Sequence, residues 1–428
     1  EVDTYYIGDN SISKENLRRY LDDSKFSVAS NGVLYRTDSV GCIPGILDLW
    51  FQKRVEYKDE MKKYGKSGDK EKYAFFHKRQ LVQKILLNSL YGVLGLPAFR
   101  FYDVDNATAV TTTGQTVIKS TADMANIKYN KELGDPDLDS NIYIDTDSVF
   151  FSAVPLMDKR TPNWKDEEQD TIAGYVNVIA EEMQDYLNDF YDILSTKILN
   201  VDADKHRLEI KKEYVAKAGL WVAKKRYAQW IISDNGVPCD KLDVKGLDVK
   251  RSSFPKAFQD TMGTVLIDIL RGKSETEITD FVVDFKDKMT KLPHKDIAKN
   301  SAVKNLSKYM GKKRNLFEVM KGTPAHVKAA IAYNDCLKYF KTPFKYEPMK
   351  NGDKVKWVYL KNNPLGLGGV AFTGYSDPPE IEEFINTYID HKKIFERELK
   401  GKLQDFYDAI GWGDVISDTK TAEKFFSF

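Results

Sequence analysis

Hydrophobic and polar positions change period several times along the chain, and each change predicts an element. From Ile46 to Tyr64 apolar residues recur at helical spacing until Lys66-Ser-Gly-Asp69 interrupts them, and a longer helical stretch runs from about Lys70 to Leu94. Together they predict an antiparallel helical hairpin. Residues 1–43 instead mix short strand-like runs with turns, as where Ser30-Asn-Gly32 leads into Val33-Leu-Tyr35. A strand and a further helix are expected over residues 96–130, with Gly114 and Gln115 in the run Thr111-Thr-Thr-Gly-Gln. Asn141-Ile-Tyr-Ile alternates in β-favouring fashion into Asp145-Thr-Asp147-Ser148, and Val149-Phe-Phe151 follows at once, which predicts a β-hairpin. Ile172, Tyr175, Ile179, Met183, Tyr186 and Phe190 recur at helical spacing and read as a core stripe with acids on the wet face. From about Phe258 the pattern is helix-rich, most clearly over Thr261–Leu270, Glu275–Met289 and Ala325–Phe340.

The predicted hairpin carries two carboxylates. Residues two apart in a strand share one face, so Asp145 and Asp147 are expected to turn their oxygens to the same point. Like charges that close repel, and a bound divalent cation is the usual reason to tolerate them; hard oxygen ligands suit Mg2+, or Mn2+, bridging a phosphate. A plain surface turn built from Asp, Thr and Ser is the competing reading. On the helical hairpin, Arg54 and Lys58 stand at i, i+4 on one arm, and Lys84, Asn88 and Tyr91 at i, i+4, i+7 on the other. Such faces could grip a triphosphate between them, or simply be solvated. Tyr91 alone would read as a core aromatic.

Composition alters this picture little. The 428 residues hold 65 Lys and Arg against 64 Asp and Glu, so total charge argues neither for nor against nucleic acid. Its distribution does argue: residues 165–192 hold nine acids and one base, whereas residues 211–256 hold eleven bases and five acids, a local net of 11 − 5 = +6, the kind of patch that meets phosphate. Cys42, Cys239 and Cys336 form no paired motif, and a reducing compartment without structural disulfides is expected. No secretory signal and no apolar run near ~18 residues is present, so no membrane partner is expected. The first residue is Glu1 rather than Met, as in a processed product or part of a longer protein. His294, His326 and His391 lack metal-ligand spacing and read as structural.

Taken together, the motifs carry a resemblance. Lys84-x3-Asn88-Ser-x-Tyr91-Gly92, followed about fifty residues later by Tyr143-x-Asp145-Thr-Asp147-Ser148, resembles the second and third polymerase motifs of family B DNA polymerases. Phe99-Arg-Phe-Tyr-Asp103 with Asn106-Ala-Thr-Ala-Val-Thr111 is similar to the replicative polymerases of T-even-type bacteriophages in particular. The resemblance implies an α+β fold of right-hand polymerase architecture: an antiparallel palm sheet, helical-hairpin fingers and a helix-rich thumb. It divides the chain into palm, first part (1–43), fingers (44–95), palm, second part (96–256, metal hairpin 141–152) and thumb (257–428). It implies DNA-directed DNA synthesis on primer-template DNA from deoxynucleoside triphosphates with two Mg2+ ions. In it Asp147 is the direct metal ligand, Asp145 its supporting partner, and Glu213 a further acid near the metals. Lys84 contacts the triphosphate, Asn88 and Tyr91 border the nascent base pair, and Arg54 and Lys58 clamp the β- and γ-phosphates. Lys224-Lys225-Arg226-Tyr227 resembles the element that holds primer terminus and template, and Lys245, Lys250 and Arg251 resemble backbone contacts at the palm–thumb junction. As a lone tetrapeptide the former would more often be a solvated edge strand. The tail with Phe425, Phe426 and Phe428 resembles a sliding-clamp-binding peptide, or folds back on its own domain.

The chain departs from the family in one respect. The first polymerase motif, Asp-x-x-Ser-Leu-Tyr-Pro-Ser, and the exonuclease domain are absent from these residues, and with the motif goes the second carboxylate shared by the metals. An N-terminal polymerase polypeptide carrying both is one expectation, with this chain inactive or weakly active alone; one continuous protein of which this sequence is a part is the other. The missing strand would leave an open sheet edge. A phage-encoded protein would work in the bacterial cytoplasm. The rival class is a non-catalytic DNA-binding subunit of a replication complex. A reverse transcriptase also places carboxylates in a palm hairpin, but Asp-Thr-Asp-Ser and the Lys84–Gly92 helix speak against it.

Overall fold

The computed structural model describes residues 4–7, 10–310, 314–342 and 345–416. They form two compact units, divided between Glu213 and Tyr214. In the first unit the chain runs β1 (Thr4–Ile7), β2 (Asn10–Ser13), α1 (Lys14–Ser24), β3 (Phe26–Val28), β4 (Leu34–Arg36), α2 (Cys42–Ser67), α3 (Lys70–Leu94), α4 (Val104–Leu133), β5 (Asn141–Asp145), β6 (Ser148–Phe151), α5 (Val154–Arg160) and α6 (Gln169–Ile193). The three strand pairs are antiparallel hairpins, β1–β2, β3–β4 and β5–β6. The predicted helical hairpin is α2 and α3: Gly68 closes α2 in the left-handed conformation and Asp69 caps α3 by accepting the Lys72 amide at 3.0 Å.

Two expectations change here. Residues 96–103 form no strand; they wind in successive turns, Phe99 N to Leu96 O and Tyr102 N to Phe99 O, and Asp103 then caps α4 by accepting the Asn106 amide at 2.9 Å. The core stripe of α6 is shifted: Ile179, Met183, Leu187 and Tyr191 are buried in an unbroken i+4 row, while Tyr186 and Phe190 flank it half-buried. Ile179, Met183 and Leu187 of that row pack with Ala125 and Tyr129 of α4 and Leu156 and Met157 of α5. Arg160 clamps the three helices, donating to Glu132 at 2.6 and 2.8 Å and to Glu182 at 2.7 Å.

The second unit runs β7 (Tyr214–Ala223), β8 (Arg226–Asp234), β9 (Val237–Lys245), α7 (Lys256–Leu270), α8 (Glu275–Met289), α9 (His294–Ile297), β10 (Lys299–Ala302), α10 (Leu306–Met310), α11 (Ala325–Tyr339), β11 (Lys354–Tyr359), β12 (Gly369–Phe372), α12 (Pro379–Tyr388), α13 (His391–Ile394) and α14 (Gly401–Ala409). The predicted helices over 261–270, 275–289 and 325–340 are α7, α8 and α11. Its two sheets are antiparallel and three-stranded, β7-β8-β9 and β10-β11-β12; the second has no counterpart in the sequence reading. Phe258, Val265, Tyr333, Phe372, Phe395 and Phe406 are buried together in one core. The whole is an α+β fold. Among the described residues no helix is long and apolar enough to cross a membrane.

Candidate active site

The carboxylate hairpin is built by β5 and β6, whose last pair is Asp145 with Ser148. Thr146 and Asp147 are therefore the turn, and Thr146 takes a positive φ of 53°. The Asp147 amide donates to the Asp145 carbonyl at 2.6 Å, and the Ser148 hydroxyl donates to the same oxygen at 3.1 Å. Thr146 Oγ1 donates to Asp145 Oδ1, also at 3.1 Å. The strand rule that put Asp145 and Asp147 on one face does not reach Asp147, because the chain is already reversing there. Asp147 is exposed and Asp145 half-buried. At its other end the hairpin is pinned to α4: Asn141 Nδ2 donates to the Ala122 carbonyl at 3.0 Å, and Tyr129 packs edge-on against Phe151 at 5.5 Å. The turn thus projects from a fixed base.

Beside it lies a cavity of about 530 Å³, lined by Thr146 and Asp147, by Val110, Gly114 and Ile118 of α4, and by Leu208. Tyr35 and Arg207 stand in the same wall. Sequence reasoning passed over both, and only the small-residue run Thr111–Gly114 hinted that this face of α4 stays open. Among the described residues no three His, Cys, Asp or Glu side chains are grouped so as to hold a metal ion. Asp145 and Asp147 offer hard oxygen donors of the type Mg2+ prefers, as an incomplete set.

The helical hairpin places its cations as follows. Arg79 donates to the Tyr57 hydroxyl at 3.5 Å, which sets the register of α2 against α3. One turn farther from the connecting loop, that register brings Arg54 level with Gln83 and Lys84. Arg54 Nε and Gln83 Oε1 are both buried without a hydrogen-bond partner among the described residues. Burial holds the Lys58 ammonium below the usual lysine range and the Arg54 and Lys62 charges push the same way, while the Glu213 carboxylate pulls it back. Arg54 and Glu213 thus both lie within electrostatic reach of Lys58. Lys84, Asn88 and Tyr91 are exposed on α3.

In the second unit Lys224 and Lys225 form the turn between β7 and β8, with Lys225 at a φ of 61°. Both are exposed, and among the described residues Lys224 and Lys250 make no ion pair. The other two residues of that element are placed differently. Tyr227 is 7% exposed and stacks on Trp221 at 6.4 Å. Arg226 Nη2 lies 2.8 Å from Asp405. Lys245 Nζ lies 3.2 Å from Asp243, and Arg251 Nη1 lies 2.9 Å from Asp248. Phe425, Phe426 and Phe428 lie outside the described residues.

A carboxylate turn thus lies in the first unit and a lysine turn in the second. Comparison with known proteins gives the family. The model of DNA polymerase family B matches residues 8–161 and 185–404, and the chain belongs to that family. It is similar to the DNA-directed DNA polymerase of Enterobacteria phage T4, 28% identical over 345 residues, which is 78% of this chain and 37% of the phage enzyme. The Escherichia phage RB69 DNA-directed DNA polymerase is 26% identical over 77% of this chain and 37% of that enzyme. The Thermococcus gorgonarius DNA polymerase is 26% identical over 91% of this chain and 42% of its own length. The chain therefore spans well under half the length of these relatives.

Proposed function

We propose that this chain forms the palm, fingers and thumb of a phage-type, template-directed DNA polymerase that acts in the bacterial cytoplasm. In this reading residues 1–43 and 96–256 are palm, 44–95 fingers and 257–428 thumb, and the two compact units divide within the second palm segment. The observation that carries it is the Asp145–Asp147 turn, held on α4, in a chain that the family model matches on both sides of it.

Asp147 and Asp145 would hold the divalent ions, with Glu213 as a further acid near them. Metal ions bound there would stabilise the charge that develops as a primer hydroxyl attacks the α-phosphate and pyrophosphate departs. The chain's own part is to bind and orient. Arg54 can offer a planar fork to the β- and γ-phosphates, and Lys58 and Lys84 can act on them as point charges. The buried, unpartnered Arg54 Nε, a donor, supports an anion there. Asn88 and Tyr91, exposed on the same helix, would border the nascent base pair. Lys224, Lys225, Lys245 and Lys250 would meet the phosphates of primer-template DNA.

The metal set is completed by a carboxylate from outside these residues, in the same polypeptide or another. The hairpin β5–β6 is only two strands wide among the described residues, a width that is marginal alone, and the cavity beside Asp147 leaves room for a further segment. The tail aromatics Phe425, Phe426 and Phe428 are proposed to dock on a sliding clamp. Primer extension by this chain with and without a polypeptide bearing the first motif tests the proposal. Synthesis in the mixture supports it; duplex binding with no synthesis in either would make the chain a DNA-binding subunit.

A further inference from the structure

Arg226 and Arg251 belong to the lysine-rich segments read above as DNA contacts, yet each is tied to a carboxylate. Arg226 Nη2 lies 2.8 Å from Asp405 Oδ2. Arg251 Nη1 lies 2.9 Å from Asp248 Oδ1, and Asp248, only 8% exposed, also accepts from Lys402 Nζ. Lys402 and Asp405 are three apart on α14 and so share one face of it. Leu403, Phe406 and Tyr407, on another face of the same helix, are fully buried and anchor α14 on the core. The two segments also touch directly. Gly246 has a φ of +65°, and a Cβ there would stand 1.9 Å from the Lys225 carbonyl oxygen, so the end of β9 lies against the Lys224–Lys225 turn with no room for a side chain.

The geometry points to Lys402 and Asp405 as positioning residues for DNA binding: α14 holds the Lys224–Lys225 turn through Arg226 and the Lys250 segment through Asp248. Arg226 and Arg251 are links in this arrangement, and Lys224, Lys225 and Lys250 carry the phosphate contacts. The inference rests on the DNA-binding reading above, and electrostatics gives it a distinctive sign. Removing an acid beside a phosphate-binding patch should tighten DNA binding through charge alone. Removing Asp405 should instead loosen it, because the lysine turn loses its anchor.

The test is fluorescence anisotropy of the 428-residue chain with a short labelled DNA duplex over a series of salt concentrations. Replacing Lys224 and Lys225 with alanine should flatten the salt dependence by about 0.9 per lost phosphate contact in the logarithmic slope. Asp405→Ala should weaken binding by about tenfold with that slope unchanged, and Arg226→Ala combined with Asp405→Ala should be no weaker than Asp405→Ala alone. The exchange R226D with D405R should restore most of the affinity. Asp405→Asn, which keeps an acceptor for Arg226, should lose less than Asp405→Ala and reports even if the alanine variant fails to fold. Binding by Asp405→Ala as tight as the unmodified chain, or tighter, overturns the inference, as does an exchange variant no better than Asp405→Ala. A chain that binds no duplex, or is indifferent to both lysines, overturns the DNA-binding reading itself.

Discussion

The Asp147 amide donates to the Asp145 carbonyl at 2.6 Å across a turn whose first residue, Thr146, has a φ of 53°. The spacing of the two carboxylates is thus set by backbone geometry, and a β-branched residue is held in a conformation it disfavours. Strain of this kind is often kept where a site needs one shape. Thr146→Asn, which tolerates this conformation better, is expected to stabilise the first unit by about 1 kcal/mol. It also removes the Thr146 bond to Asp145 Oδ1, so synthesis should slow. Chemical denaturation and single-turnover extension read the two effects separately; a variant faster and more stable than the original would contradict this account.

Lys58 carries a pH prediction. Burial, Arg54 and Lys62 lower its pKa, so its charge is lost at lower pH than that of an ordinary lysine. Deoxynucleotide affinity should fall correspondingly early as pH rises. Lys58→Arg, always charged, should flatten that limb. Nucleotide dissociation constants measured across alkaline pH check it, and identical profiles for both proteins would refute it.

Arg160 joins α4, α5 and α6 through Glu132 and Glu182. The Arg160 hydrogen bonds hold the Glu132 carboxyl below the usual range. A depressed carboxylate pKa stabilises above its unfolded value, and that contribution disappears as pH falls through the folded one. Arg160→Ala should therefore cost about 1–2 kcal/mol at neutral pH, discounted for partial exposure, and progressively less in acid. Urea denaturation at neutral and acidic pH measures the difference; a cost constant across pH would exclude the ion pair as its source.

The three cysteines should react in a set order. Cys42 is exposed, Cys239 half-buried and Cys336 buried, with the Cys336 thiol pushed up to about 12 by burial and then by Asp335. Thiolate is the reactive form, so a maleimide should label Cys42 first and Cys336 only on unfolding. Mass spectrometry of the native chain settles the order. The same shift means that stability assigned to Cys336 is complete below the unfolded thiol pKa and lost as pH climbs towards 12.

Local signals were legible in the sequence wherever they were periodic or carried by turn chemistry. The hairpin at 141–151 and the long helices α2, α3, α7, α8 and α11 follow from spacing, Gly68 and Asp69. Elsewhere the neighbours along the chain do not decide the structure. Residues 96–103 look β-favouring, but the Asp103 cap and successive turns take them. Strand parity puts Asp147 on the face of Asp145, but a positive φ at Thr146 turns the chain first. Arg226 read as one more cation beside Lys224 and Lys225, and its partner Asp405 lies 179 residues away, beyond the reach of any local pattern. The same holds for the link from Lys402 to Asp248, 154 residues apart.

The most direct test of the central claim is primer extension with Mg2+ and the four deoxynucleotides, comparing Asp147→Asn with the unmodified sequence in a polymerase that also carries the first motif. The swap keeps the turn but replaces a charged oxygen ligand with an amide. The rate should drop on the order of a thousandfold with duplex affinity unchanged within about twofold. Extension at an undiminished rate would show that the Asp145–Asp147 turn does not carry the chemistry.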